Sequence, residues 1–425
     1  MFHCGRKDCG RRRSRSLCLE PWPVPLQRGK LLRMNMLTDK QTTKLLMRLL
    51  AIPGLSGSES RVAEFIQREL KKAGASAKIL RTDHAHRRSQ LGGAQGNLIL
   101  KLQGTQRAPR RLLVAHMDTV PICEGTCPVL RGQRILSKDD HTGLGADNRA
   151  GVAVLLSTAL AILRYGLPHP PLTFLWTVQE EVGLHGAHHV QLGLLGRPRL
   201  AFNWDGGLAH RLTIGATGGY RMSVAIRGVA SHAGGHPEEG VSAIAIAGLA
   251  TSDLVEHGWH GLIEKGRHRG TSNLGVIVGG AATNVVTDLV SIRAEARSHT
   301  PAFRERIVRE IEKSFHKAAR KVKNTKGQCG QVSIEGHLDY EAFLLPHDDP
   351  SLQAASEAVL DEGCTPSRVI ANGGLDANWL TARGIPTVSL GCGQNNIHTV
   401  DEWLDLPEFH RARRIAQRLA RLDGE

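Results

Sequence analysis

The 425-residue chain is short of aromatic residues: only 4% are Phe, Trp or Tyr, and Tyr occurs three times. Glycine, by contrast, reaches 47. That balance disfavours a β-sandwich and favours a loop-rich α/β protein. Long apolar runs are also lacking. The longest, Val152 to Leu163, is interrupted by Ser157 and Thr158 and is too short to span a bilayer. No membrane association is therefore expected. Cysteine is sparse and scattered. Three of the eight lie within the first 33 residues, and Cys123 and Cys127 have no second pair nearby. A thiolate zinc site and a disulfide framework are both disfavoured, and a reduced, cytoplasmic protein is expected.

What is abundant is positive charge, +15 overall, which raises the question of nucleic acid. The distribution answers against it. Residues 1–33 hold nine Lys/Arg against Asp8 and Glu20, so the remaining 392 residues carry only +8. The stretch lacks the apolar segment of a secretory signal and reads as a solvated tail, 1–36. Met34 or Met36 is an alternative to Met1 as the start.

From Leu37 the pattern is regular. Helices are expected over "TDKQTTKLLMRLLAI", with Thr38 or Asp39 as cap, and over "GSESRVAEFIQRELKKAG", capped by Ser58 or Ser60 and closed by Gly74. Apolar strands follow at 97–102, 111–118, 172–178 and 199–205, with a helix apolar nearly all round at 147–165. This alternation predicts a mostly parallel sheet covered on both faces. At about Gly215 the character changes to half-exposed strands and amphipathic helices in the order β-α-β-β-α-β. Residues 215–345 read as an inserted α+β, ferredoxin-like domain between two parts of one catalytic domain, 37–214 and 346–425. The second part carries helices at 350–361, 375–383 and 406–421 and a strand at 385–390.

"TFLWTVQEEVGLHGA" (173–187) shows where the chemistry lies: an apolar strand ends at two adjacent carboxylates, Glu180 and Glu181. Other strands end similarly, at His116 and Asp118, at Asp205 and at His398, and Asp147 opens the buried helix. Strand carboxyl ends line the crevice of an open α/β sheet. Taken singly, these residues suit turns, caps or a solvated face. Converged on one edge, so many carboxylates would repel one another unless cations neutralised them. Histidines and carboxylates without thiolates suit zinc, manganese or cobalt, and the donors outnumber what one tetrahedral ion takes.

"HMDTVP", "GADNRAG", "QEEVGLHGA", "NWDGG", "SHAGGHPEEGVSAI" and "NNIHTVDEW" together resemble the co-catalytic zinc peptidase family of aminoacylase, glutamate carboxypeptidase and peptidase T. "ANGGLDANWLTARGIPTVSLGCGQNNIHT" points to the peptidase T-like, tripeptide aminopeptidase branch. The resemblance runs from about Leu37 to the end. It implies two Zn2+ per subunit, with Mn2+ or Co2+ as substitutes. Asp147 would bridge them, His116 and Asp205 would complete one ion, and Glu181 and His398 the other. Asp118 would orient His116, and Glu180 would be the general base. It also implies a cis peptide after Asp147. Where this branch often has Asp-Lys after the bridging Asp, Asn148-Arg149 stand here.

The inserted segment would be a lid and dimerisation domain of a homodimer. His232 would reach an active site, commonly the partner's, unless it is a plain loop histidine. Asn284 and Arg297 match substrate-binding positions, Arg297 being otherwise a surface strand charge. Gly373, Gly374 and Asp376 resemble a substrate-binding loop, or form a plain turn into a helix. The function implied is removal of the N-terminal residue from tripeptides. An aminoacylase, dipeptidase or carboxypeptidase would share the ligands. A non-catalytic peptide or protein binder and a nucleic-acid binder acting through the tail stand outside the class.

Overall fold

The structure, a computed structural model, describes residues 37–421, so the tail 1–36 lies outside the described residues. Its first helix, Asp39–Leu50, starts at Thr38 with a reciprocal capping box. Thr38 Oγ1 accepts from the Gln41 N–H at 3.3 Å, and Gln41 Oε1 accepts from the Thr38 N–H at 2.8 Å. The second, Ser60–Lys72, differs from expectation at its start. Its N-cap is Glu59, not Ser58 or Ser60, and no side chain caps it. The Glu59 carboxylate turns inward instead and accepts the N–H groups of Gly57 (2.8 Å) and Gln179 (3.0 Å). Gly74, at φ +98°, closes the helix as expected.

Nine strands form the larger sheet. Its centre is four parallel strands in the spatial order Leu172–Thr177, Arg111–His116, Leu200–Trp204, Thr387–Leu390. Antiparallel strands extend both sides, Leu98–Leu102 on the first and Arg211–Ala216 on the last. Alternate residues feed two cores, as the period of a strand requires. Leu113, Phe174, Trp176, Phe202 and Trp204 pack with the helices Asp39–Leu50, Ser60–Lys72, Ala146–Tyr165 and Leu406–Leu419. Leu112, Val114, Leu175 and Ala201 pack with Leu380 and Ile385 on the other face. Helix Ala146–Tyr165 is long and apolar enough to cross a membrane, but it is buried in the fold as the central core helix.

Between residues 218 and 340 a second, antiparallel sheet has its own buried cluster, including Ile226, Ile292, Ile307 and Phe315. Helices Ala243–Glu256 and Pro301–Lys321 pack on it. It has five strands rather than the four expected. The extra one, Gly261–Lys265, is an edge strand paired with His268–Gly279, and only Ile263 in it is buried, so it carries no apolar alternation. A third, small sheet was not anticipated either. It joins Pro128–Arg131, Arg134–Ser137, Trp403–Asp405 and Gln394–Asn395, each two to four residues long. It ties the segment after His398 to the segment before Asp147.

Candidate metal centre

The carboxyl ends of the parallel strands deliver the expected residues to one place. His116 ends its strand buried, and its ring is held between two carboxylates. Nδ1 lies 3.2 Å from the Asp118 carbonyl and 3.4 Å from Asp118 Oδ1, while Nε2 lies 3.1 Å from Asp147 Oδ1 and 3.9 Å from Asp205 Oδ2. On the other side of Asp147, Oδ2 lies 3.2 Å from His398 Nε2, which is also 3.0 Å from Glu181 Oε2. Three groups of side chains bring donor atoms within 4.8 Å of one another: His116–Asp147–Asp205, Asp147–Glu181–His398, and His116–Glu180–Glu181. The first two share Asp147 and no other residue. The peptide bond between Asp147 and Asn148 is cis.

Asp118 organises the strand ends. Its carboxylate accepts from Ser56 Oγ (2.7 Å) and from the N–H groups of Glu180 (3.0 Å) and Glu181 (3.1 Å). Those bonds fix the backbone from which the two glutamates leave. Glu181 joins His398, and Glu180 stays 8% exposed beside His116.

Electrostatics mark the cluster as short of positive charge. Burial, reinforced by neighbouring carboxylates, pushes Glu180 and Asp205 well above the usual carboxylate range and raises Glu181 as well. Burial also lifts Asp376 to about 6. Asp147 goes the other way: burial opposes its charge, but hydrogen bonds from His116 and His398 hold it low. His398 is raised to about 10 by its bonds to Asp147 and Glu181. Oxygen and imidazole donors at ion-sized spacing, with surplus negative charge and no thiolate among them, fit divalent cations such as zinc, manganese or cobalt.

Of the remaining candidates, only Asp376 is tied to this cluster by the hydrogen bonds and electrostatics of the described residues. His232 is exposed; its Nδ1 accepts from the N–H groups of Gly234 (3.2 Å) and Gly235 (2.8 Å), and no hydrogen bond ties it to the centre among the described residues. Asn284 is its neighbour, the Asn284 carbonyl accepting from the Ala233 N–H at 2.9 Å. Arg297 is half-buried and held by Glu295 through two bonds of 3.0 and 2.9 Å. Gly373 is open to solvent. At Gly374 a Cβ would sit 2.8 Å from the Tyr340 ring. Asp376 is buried and accepts from the Thr177 hydroxyl, placing it at the base of the centre rather than on its rim.

Residues beyond those expected also take part. Glu402, 2% exposed, accepts the N–H groups of Gly145 and Asp147. Gln394 Nε2 donates to Asn148 Oδ1 at 3.0 Å, and Asn148 Nδ2 donates to the Trp204 carbonyl at 2.7 Å. Neither Glu402 nor Gln394 interrupts an apolar run as the strand-borne ligands do.

A mostly parallel sheet whose strand ends gather two ion-sized donor groups around one shared aspartate defines a metal-dependent hydrolase. The comparisons give the class its family. Residues 112–422 match peptidase family M20/M25/M40, and the chain belongs to it, in the peptidase T-like branch; it is a metal-dependent peptidase. Protein YqjE of Bacillus subtilis is 30% identical over 375 residues, covering 88% of this chain and 96% of that one. A tripeptidase of Staphylococcus aureus superposes with a TM-score of 0.81 at 28% identity, over 91% of this chain and 98% of that one. Aminopeptidase PepT of Bacillus cereus gives 0.78 at 29%, with the same coverage.

Proposed function

We propose that the chain is a tripeptide aminopeptidase: a cytoplasmic homodimer with two zinc ions per subunit, for which manganese or cobalt can substitute. The observation that carries this is the sharing of Asp147 by two donor groups, with a further buried carboxylate, Glu180, beside them. His116, Asp147 and Asp205 hold one ion, and Asp147, Glu181 and His398 the other. Divalent cations held there would make an attacking water more acidic and the scissile carbonyl more electrophilic. Glu180 takes the proton from the attacking water and passes it to the nitrogen of the leaving amine. Asp118 accepts from His116 Nδ1–H, which would leave Nε2 as the atom that holds an ion.

Residues 215–345 serve as lid and dimerisation domain, inserted between 37–214 and 346–425. His232 supports the oxyanion of the partner's site. With Nδ1 accepting from two backbone N–H groups, Nε2 is the ring atom left to donate. Asn284, Arg297, Gly373, Gly374 and Asp376 form and back the peptide-binding walls, a substrate carboxylate displacing Glu295 from Arg297.

A small panel tests this: a free tripeptide, its N-acetyl and C-amide forms, a dipeptide and an N-acyl amino acid, each with added metal and with chelator. Chelator-sensitive release of the first residue, blocked by acetylation, is expected. Cleavage of the acylated substrates instead would make the enzyme an aminoacylase or carboxypeptidase, and preference for the dipeptide would make it a dipeptidase. No cleavage under any metal would leave a peptide or protein binder.

A further inference from the structure

We propose that Glu402 is a positioning residue that clamps the loop bearing Asp147 to the loop bearing His398, and so governs the affinity of the half of the centre those two residues share. The inference rests on the assignment of Asp147, Glu181 and His398 to one ion.

Helix Ala146–Tyr165 begins at Gly145 without a side-chain cap of its own. Asp147 and Asn148 have non-helical backbone angles, so the N–H groups around this start lack the partners a continuous helix would give them. The Glu402 carboxylate supplies the cap from 255 residues away: Oε2 accepts from the Gly145 N–H at 2.6 Å and Oε1 from the Asp147 N–H at 3.0 Å. Cys123 Sγ donates to Oε2 as well, at 3.4 Å. Both carboxylate oxygens are thus engaged, and Asp147 is held through its own backbone.

The other end of the clamp is His398, four residues earlier. The chain between them is a closed set of turns: the Glu402 N–H donates to the Thr399 carbonyl at 3.3 Å, and Thr399 Oγ1 donates to the Asn396 carbonyl at 2.7 Å. Both flanks are strands of the small sheet, Gln394–Asn395 and Trp403–Asp405, paired with each other. Moving Glu402 therefore moves His398. Gly143 allows the two loops to close: a Cβ there would lie 2.9 Å from the Thr399 carbonyl oxygen and 3.0 Å from Cys123 Sγ.

The consequence is asymmetric. Two residues of the Asp147–Glu181–His398 group depend on the clamp, against one, Asp147, of the His116–Asp147–Asp205 group. His116 and Asp205 sit on their own strand ends. Loss of the Glu402 carboxylate should weaken the first group more. Removing a partner that orients a ligand commonly lowers metal affinity about ten- to a hundredfold.

The test is zinc titration of the full apo chain against a chromophoric chelator, with no substrate present. His398→Ala identifies the binding step that belongs to its group. Glu402→Gln, which keeps one acceptor oxygen and loses the other, should weaken that same step about ten- to a hundredfold and leave the second step within a few-fold. Gly143→Ala attacks the same closure from the opposite loop with Glu402 intact, and should reproduce the asymmetry. It decides the matter if Glu402→Gln fails to fold. Equal weakening of both steps, or unchanged affinity, in the folded variants would overturn the proposal. A wild-type chain that binds fewer than two ions would instead overturn the two-ion assignment beneath it.

Discussion

Replacing Glu59 by Gln should stabilise the protein, and by an amount that depends on pH. Glu59 is fully buried, and its Oε2 has no hydrogen-bond partner among the described residues. Burial first, then the Asp118 charge, raise its carboxyl from 4.5 to about 7, although the N–H groups of Gly57 and Gln179 pull it down. The folded state thus binds this proton more tightly than the unfolded chain. The favourable contribution is fully present below pH 4.5, shrinks as pH rises, and is gone above about 7. The interval between the two values corresponds to about 3 kcal/mol, more than half of it already lost by pH 6. Gln has the same shape, retains an acceptor for the two N–H groups and does not ionise. Urea unfolding of wild type and Glu59→Gln at pH 5, 6, 7 and 8 measures the difference directly. The variant should gain steadily on wild type and lead by about 3 kcal/mol at pH 8. A difference that stays flat across this range, or grows toward acid, would refute the argument.

Two further outcomes follow from the centre. Asp147→Ala removes the residue common to both groups, so bound metal should fall from two ions toward none by elemental analysis; unchanged content would contradict its bridging place. If His232 serves the partner's site, mixing His232→Ala with Glu180→Gln chains by co-expression should restore about a quarter of wild-type turnover. Half of randomly assorted dimers then hold one complete site. The double variant on one chain should stay inactive, and a mixture as inactive as two inactive parents would place His232 in its own subunit's site.

The cluster was legible because each of its strand-borne members interrupts an apolar run. A buried strand has no reason to end in Glu180-Glu181 or His116-x-Asp118 unless something gathers at its end. The parallel centre of the sheet was legible for a related reason: strands buried on both faces are apolar throughout. What escaped detection lacked such contrast. Glu402 stands in "VDEW", beside another acid, and looks like a solvated turn. Its burial comes from two amides that are 255 and 257 residues away in the chain. Glu59 lies between Ser58 and Ser60, better caps by type, yet the loop bearing Gln179 needs an acceptor where Glu59 points. The two- to four-residue strands of the small sheet are too short for any period to show. The roles of His232, Asn284 and Arg297 came from motif resemblance alone, and among the described residues no hydrogen bond or ion pair ties any of the three to the centre.

The central claim is a division of labour between neighbours: Glu181 helps hold metal, while Glu180 carries protons. Metal content and tripeptide turnover of Glu180→Gln, measured on one preparation, test it most directly. The account predicts two ions per subunit, as in wild type, with kcat lowered about 10²- to 10⁴-fold. Loss of an ion, or turnover close to wild type with both ions in place, would contradict it.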